Sequence, residues 1–492
     1  MQVSIVKTKA HYPLAPFHPS KAYPEYPYSR DAIATEENPV YEAVRNALYL
    51  AGLDRENYGT PYWNPFGPFI KEGSRIVIKP NFVNHYNFSS DERSHFEALV
   101  THASVIRPLM DYVLLAAHGK FTLTLTDLPI QTADFSIISK KTGLNQVIEF
   151  IRDKTGGQGT IELVDLRDYQ LMIDSSGAIL GRKEQPGDAL GYVLVDLGQD
   201  SNIMPLEKYM HLFRALDYKK DITVQRHSNG VHQYILSRTI LNSDFLINVP
   251  KLKVHRKTGV TLSLKNMVGT IGDKSCLPHY REGGPDSGGD EHPVSSVINT
   301  LRGRYSFPLR RLGKVPWRLI RSPGRALLRL NRVLHQDQHL INVTGGDWHG
   351  NDTIWRMVHD INCIIFHSDG QGSLYDDVRR NYLTVVDGII GGEGEGPLSP
   401  SPVASGVIVA GTDPLAVDIC CTQLMGLDWR KIPLYAKYNP GQRYAFSRFD
   451  GDPDRIDVVM SENGAVAKRS LDDVKPIKLF EPTPGWKNRI ER

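Results

Sequence analysis

Between residues 74 and 126 a strand, a helix and a second strand follow one another, and this succession constrains the fold more than any other stretch of the chain. The apolar run Ser74–Ile78 is closed by Lys79-Pro80-Asn81, where proline stops a strand and holds the residue before it extended. Helical patterning follows around Ala103–Ala117 (SVIRPLMDYVLLAA), and then an alternating run, Phe121–Thr126. Strand, helix and strand at this spacing form a crossover unit, which implies parallel strands. Further strands are expected at Asp244–Val249, Thr384–Ile390 and Val407–Ala410, and a helix over Asp352–Phe366. Asp413-Pro414 opens a last helix that runs to Met425, with Asp as cap and Pro in the first turn. The predicted fold class is α/β: two lobes of mostly parallel sheet flanked by helices.

A chain of 492 residues is long enough for two or three domains. The divisions expected are an N-terminal extension over 1–70, rich in Pro and Tyr, a first lobe over 71–245 and a second over 246–430. A basic helical insertion at 295–335 interrupts the second lobe, and a tail over 431–492 packs on the body. Gly and Pro cluster at 283–293 and 391–402, which predicts surface loops there.

No window approaches the ~20 apolar residues of a membrane helix, and the first residues lack the apolar block of a secretory signal. The expected compartment is the cytoplasm, with peripheral membrane contact kept open. Cys276, Cys363, Cys420 and Cys421 form no C-x-x-C pair, so neither a zinc ribbon nor an iron–sulfur cluster is expected. Cys420 and Cys421 read as small buried hydrophobes in an apolar helix. Net charge is +3, yet Arg302 to Arg332 carries ten Lys or Arg and no acid, which leaves the remainder at −7. That cationic amphipathic segment suits a membrane surface or partner, or equally a solvated helical hairpin. Nucleic acid is disfavoured, because no standard binding module is visible.

The densest polar cluster follows the 244–249 strand: Lys251, Lys253, His255, Arg256, Lys257 and Thr258, continuing through Lys265 and Asn266. Ligands of open α/β sheets bind beyond the strand carboxyl ends, and such cationic density suits a carboxylate or phosphate. Lys265 lies in an apolar, β-branched stretch, where a lysine either snorkels or is functional. His255 and His279 flank it and are candidates for an acid–base pair or for metal ligation. Asp387 and Glu393, in the glycine-rich stretch after a strand, are candidates to bind a cation. Trp348 and Trp355, beside His349 and Arg356, suggest either a ring-stacking wall or a helix anchor, and Asn351 or Asp352 a helix cap.

The motifs IVIKPNFV, TLTDLPIQTADF, NVPKLKVHRKTGVTLSLKNMVG, NDTIWRMVHDIN, VVDGIIGGEGEGP and AGTDPLAVD together resemble the DUF362 family, in order over roughly residues 70–430. Some relatives add a ferredoxin module, whose cysteines have no counterpart here. More remotely the block resembles the nickel-pincer lactate racemases. In them a histidine precedes a cofactor-bearing lysine by the interval from His255 to Lys265, and another follows near His279. That resemblance implies a nickel-pincer cofactor, or a divalent metal, in a cleft between two domains. It also implies hydride or proton transfer at a hydroxy-acid or sugar carbon. Where the racemases place a further catalytic histidine, this chain has TLTDLPIQ, and Asp127 is the ionisable group available.

The expected activity is therefore an isomerase, epimerase or redox enzyme acting at a carbinol carbon of a small anionic or polyhydroxylated metabolite. Lys265 would be central, His255 and His279 the acid–base groups, and Asp127 a further catalytic candidate. Lys79, Asn81, Lys253, Arg256, Thr258 and Asn266 would bind substrate. The rival expectation is a non-catalytic scaffold that docks on membranes through its basic segment.

Overall fold

The structure is a computed structural model that describes residues 1–28, 32–117, 119–155, 159–174, 179–216, 218–294, 340 and 343–492. Its centre is an eleven-stranded sheet. The strands are β1 (Gln2–Lys7), β2 (Arg75–Pro80), β3 (Thr122–Asp127), β4 (Thr160–Asp165), β5 (Phe245–Val249), β6 (Lys251–His255), β7 (Gly259–Val260), β8 (Asn381–Glu395), β9 (Ser399–Gly411), β10 (Asp457–Glu462) and β11 (Ala465–Arg469). They lie in the order β11-β10-β1-β9-β8-β5-β2-β3-β4, and β6 branches from β8 and carries β7. The run from β8 through β5, β2 and β3 to β4 is parallel throughout. β9 is antiparallel to both β8 and β1.

Alternation along the strands divides the core between the two faces of the sheet. Ile76, Ile78, Phe245, Ile247 and Val249 point to one face, where helices Pro39–Leu50, Ala103–Ala116 and Leu144–Thr155 pack. Val77, Leu246, Leu252 and Val254 point to the other, against helices Ile354–His367 and Pro414–Leu424. A sheet covered on both faces reads as continuous apolar runs, and FLINV is one. Cys420 and Cys421 are buried in the helix Pro414–Leu424, as their apolar context predicted.

The mostly parallel α/β class is what the structure has, but its strands are not shared out between two separate sheets. Residues 245–246, expected as a lobe boundary, lie inside the sheet, because β5 pairs with β2 on one side and β8 on the other. The N-terminal stretch contributes β1, held between β9 and β10, and the C-terminal stretch adds β10 and β11. Strand edges left bare would strand backbone donors and acceptors, which explains why both chain ends are drawn into the ladder. Residues 391–395, expected as a surface loop, continue β8 instead. A Cβ on Gly392 would meet Ala98 O at 2.9 Å, and one on Gly396 would meet Val254 O at 2.1 Å, so the glycines there serve close backbone approach. The insertion expected at 295–335, with its basic run Arg302–Arg332, lies outside the described residues. Among the described residues no single helix is long and apolar enough to cross a membrane.

Candidate functional site

From β2 the chain steps outward to β3 and β4, while β5 lies on the opposite side of β2, so the strand order reverses between β5 and β2. Open parallel sheets offer a crevice at such a point, beyond the carboxyl ends of the strands. There a cavity of about 440 Å³ is lined by Asn81, Asp127, Lys253, His255, Arg256, Lys257, Thr261, Lys265, Asn266, Gly269, Lys274, His279 and Asp347, with Phe82, Leu128, Val268, Leu277 and Leu398 among its apolar members.

Lys265 is carried by a single helical turn, Leu262–Asn266, which chain-local propensity would not hold. The buried carboxylate of Asp418 holds it, accepting the backbone N–H groups of Ser263 at 2.7 Å and Leu264 at 3.0 Å. Burial pushes the Asp418 carboxyl up to about 7. Leu262 enters the turn at φ 36°, a left-handed conformation that a non-glycine residue keeps only when its surroundings impose it. Asn362 donates to Leu264 O at 3.1 Å from the facing helix. Asn266 closes the turn onto the sheet: it donates to Asn248 Oδ1 at 2.7 Å and accepts from Asn81 Nδ2 at 2.8 Å. Asn248 in turn donates to Tyr382 Oη at 2.7 Å.

Most cations at the cavity are engaged. Lys253 donates to Leu99 O at 2.5 Å, and Lys274 to the carbonyls of Leu128 (3.1 Å) and Pro129. Lys257 pairs with Asp347 at 2.7 Å and donates to Gly345 O. Arg256 lies 3.6 Å from Asp347 and 3.7 Å from Glu395. Lys265 is different: no hydrogen bond or ion pair reaches its amino group among the described residues. Burial, with Lys257 and Lys79 nearby, lowers the Lys265 ammonium to about 8, and burial beside Arg167 lowers Lys274 to about 7. Burial beside Lys251 and Lys265 also drives Lys253 well below the usual lysine range.

The two histidines hold opposite tautomers. His279 Nδ1 lies 2.8 Å from Leu277 O, and a carbonyl can only accept, so Nδ1 carries the proton and Nε2 keeps a free lone pair. His255 Nδ1 accepts the N–H of Lys257 at 3.0 Å, so its proton sits on Nε2. Burial, reinforced by Lys265 and Lys257, lowers His279 to about 3 and keeps His255 neutral as well. Asn81 Oδ1 and Thr261 Oγ1, both on lining residues, have no hydrogen-bond partner among the described residues.

Of the residues singled out from sequence, Lys265, His255, His279, Asn81, Lys253, Arg256 and Asn266 come together on this wall. Asp127 also reaches it, but as a satisfied group. It pairs with the fully buried Lys79 at 2.9 Å and accepts the N–H groups of Phe82 at 2.7 Å and Leu128 at 2.8 Å, which leaves it poorly suited to act as a base. Lys79 lies behind it, away from the cavity, and Thr258 turns inward to donate to Val260 O at 2.8 Å. Asp387 is sealed elsewhere by Lys251 at 3.0 Å and Tyr12 at 2.7 Å, and Glu393 faces Lys478 at 3.2 Å.

Among the described residues no three His, Cys, Asp or Glu gather to hold a metal ion. A cavity so rich in cations also repels one. A divalent metal held by protein groups alone therefore does not fit, at Asp387 and Glu393 or in the cavity. A cofactor borne on a lysine fits in one respect, since no described residue engages the Lys265 amine. Trp348 is buried and donates to Asp290 O at 2.8 Å, and Trp355 donates to Asp352 at 3.0 Å, so they anchor the helix rather than form a ligand wall. Asn351 caps that helix through the N–H groups of Thr353 and Ile354.

Sequence reasoning missed Lys274, which stands five residues past the motif block that ends at Gly269. It also missed Asp347, distant in the chain and brought in by Lys257. A continued count of lysines past Gly269 would have found the first, whereas nothing local marks the second.

Residues 198–423 match the family model described as Domain of unknown function (DUF362). The chain carries a DUF362 domain. The matched stretch supplies β5, β6, the Lys265 turn, Lys274 and His279, while Asn81 and Asp127 reach the cavity from outside it. No curated protein matches the chain.

Proposed function

We propose that the cavity binds a small anionic, polyhydroxylated metabolite and moves a proton at one of its carbinol carbons, as an isomerase or epimerase does. The observation that carries this reading is the pair of neutral imidazoles with opposite tautomers on one cationic wall: His279 Nε2 offers a lone pair to take a proton, and His255 Nε2–H donates a hydrogen bond to the substrate oxygen. Lys253, Arg256, Lys265 and Lys274 favour an anionic group, and an anion there offsets their mutual repulsion. The acceptors of Asn81 and Thr261, unpartnered among the described residues, suit substrate hydroxyls. Thr261 can also donate to them. A cofactor of the pincer type would be held by Lys265 and would supply hydride transfer at the same carbon. The four cysteines are free thiols, which suits a reducing compartment, and on that ground we assign the activity to the cytoplasm.

The test is exchange of carbon-bound hydrogen in D2O, followed by NMR with glyceraldehyde 3-phosphate, glycerate 3-phosphate, lactate and gluconate. Exchange at a carbinol carbon should fall about 10²- to 10⁴-fold in His279→Gln. Full exchange retained in both His279→Gln and His255→Gln would refute the acid–base assignment.

A further inference from the structure

We infer that Lys265 is a nucleophilic amine that forms an imine with an anionic carbonyl metabolite. The inference rests on the anion-binding reading of the cavity and narrows its substrate to an aldehyde, ketone or 2-oxo acid. The geometry sets Lys265 apart from every other cation on the wall. Lys253 and Lys274 are tied to backbone carbonyls, Lys257 to Asp347 and Arg256 to Asp347 and Glu395. Lys265 alone among them faces the cavity without a partner among the described residues, on a turn fixed by Asp418 and Asn266.

An amine attacks a carbonyl only in its neutral form, and a lysine desolvated among like charges supplies that form near neutral pH. With its ammonium lowered to about 8, on the order of a tenth of Lys265 is neutral at pH 7. The neighbouring groups suit the rest of the step. The Lys265 nitrogen bonds to the carbonyl carbon, one amine proton passes to His279 Nε2, and the carbonyl oxygen, hydrogen-bonded by the His255 Nε2–H, takes a proton from solvent in the open cavity. The carbinolamine then loses its C–O bond, and the oxygen departs as water with a second proton, returned by His279. The nitrogen lone pair forms the C=N bond. The iminium acidifies the adjacent carbinol C–H, and His279 Nε2 is again the base available to remove that hydrogen. This links the imine to the proposed isomerisation.

The experiment is reductive trapping of the full-length protein with glyceraldehyde 3-phosphate and sodium cyanoborohydride, read by intact mass and peptide mapping. A parallel arm measures binding of inorganic phosphate by calorimetry. One adduct is expected per chain, on Lys265. It should form about tenfold faster than with unphosphorylated glyceraldehyde, the gain of a charge-assisted contact, with a rate that rises towards pH 8. Lys265→Arg, checked for folding by circular dichroism, should give none. Adducts on Lys274 or scattered over surface lysines, while phosphate still binds, would overturn the imine and leave the anion site standing. No phosphate binding would overturn the anion reading, whatever the adduct. A covalent group already on Lys265 in the purified protein would also overturn the imine, in favour of a lysine-borne cofactor.

Discussion

Lys251 and Lys265 belong to the same motif block, yet the structure uses them in opposite ways. Lys251, fully buried, meets Asp387 at 3.0 Å and Tyr12 Oη at 2.6 Å, and Asp387 also accepts the N–H of His102 at 2.9 Å. The Lys251 amine, both Asp387 oxygens and the Tyr12 hydroxyl each have a partner, and His102 stacks on Tyr12 at 4.0 Å between ring centroids. Lys265 sits on a cavity wall with no partner among the described residues. A buried charge that is fully paired holds the fold in register, whereas one left open in a void has its solvation to gain from a ligand. Partnering, rather than burial or residue type, separates the structural lysine from the chemical one.

The comparison breaks most sharply at Asp387. Its replacement by alanine leaves the Lys251 ammonium, the Tyr12 hydroxyl and the His102 N–H without their shared acceptor, a loss of about 3–5 kcal/mol expected for an orphaned buried ion. Chemical denaturation should show that loss, while phosphate binding by the molecules still folded is unchanged. An Asp387→Ala protein of wild-type stability but weakened phosphate binding would invert the assignment.

How far the sequence carried this distinction is visible in the same residues. The strand FLINV, its proline stop and the lysines after it were legible, because period-two alternation and a ligand crevice beyond strand ends are local and topological rules. The pairing of Lys251 with Tyr12 and Asp387 was not, since those partners stand 239 and 136 residues away. The same holds for the sheet itself. The alternating run at the N-terminus, QVSIVK, reads as a strand only once β9 and β10 supply its neighbours. Glu393 and Asp387 looked like cation ligands because the glycines around them suggest a loop, but those glycines let two strands and a helix carbonyl approach closely.

A smaller effect is expected at His279, and it tests whether this histidine is held neutral by the open cluster. Its conjugate acid is lowered to about 3 in the fold, against an ordinary 6.5. The unfolded chain therefore takes up a proton between pH 6.5 and 3 that the folded protein refuses, and stability falls as the pH drops through that window. His279→Gln removes this term, so between pH 7 and pH 5 the variant should lose about 2 kcal/mol less than the wild type. Parallel stability curves for the two proteins would mean that His279 titrates in the fold as it does in the unfolded chain, so that the cationic wall does not hold it neutral.

The smallest effect is expected at Lys265 and has the opposite sign to that at Asp387. The unfolded chain keeps the lysine proton up to about 10.5, while the folded protein releases it near 8. Between those values the unfolded state binds more protons, so wild-type stability rises with pH through that interval, and below it the charged amine is a burden. Lys265→Met deletes the burden without leaving any partner behind. At pH 7 it should be as stable as the wild type or more so, by about 1–2 kcal/mol, because contact with solvent in the cavity already relieves part of the desolvation. Denaturation from pH 7 to pH 10 should bring the two proteins together as the wild-type amine discharges. If instead Lys265→Met is destabilised by several kcal/mol at pH 7, Lys265 has a partner that the fold needs, and it belongs with Lys251 as a structural lysine.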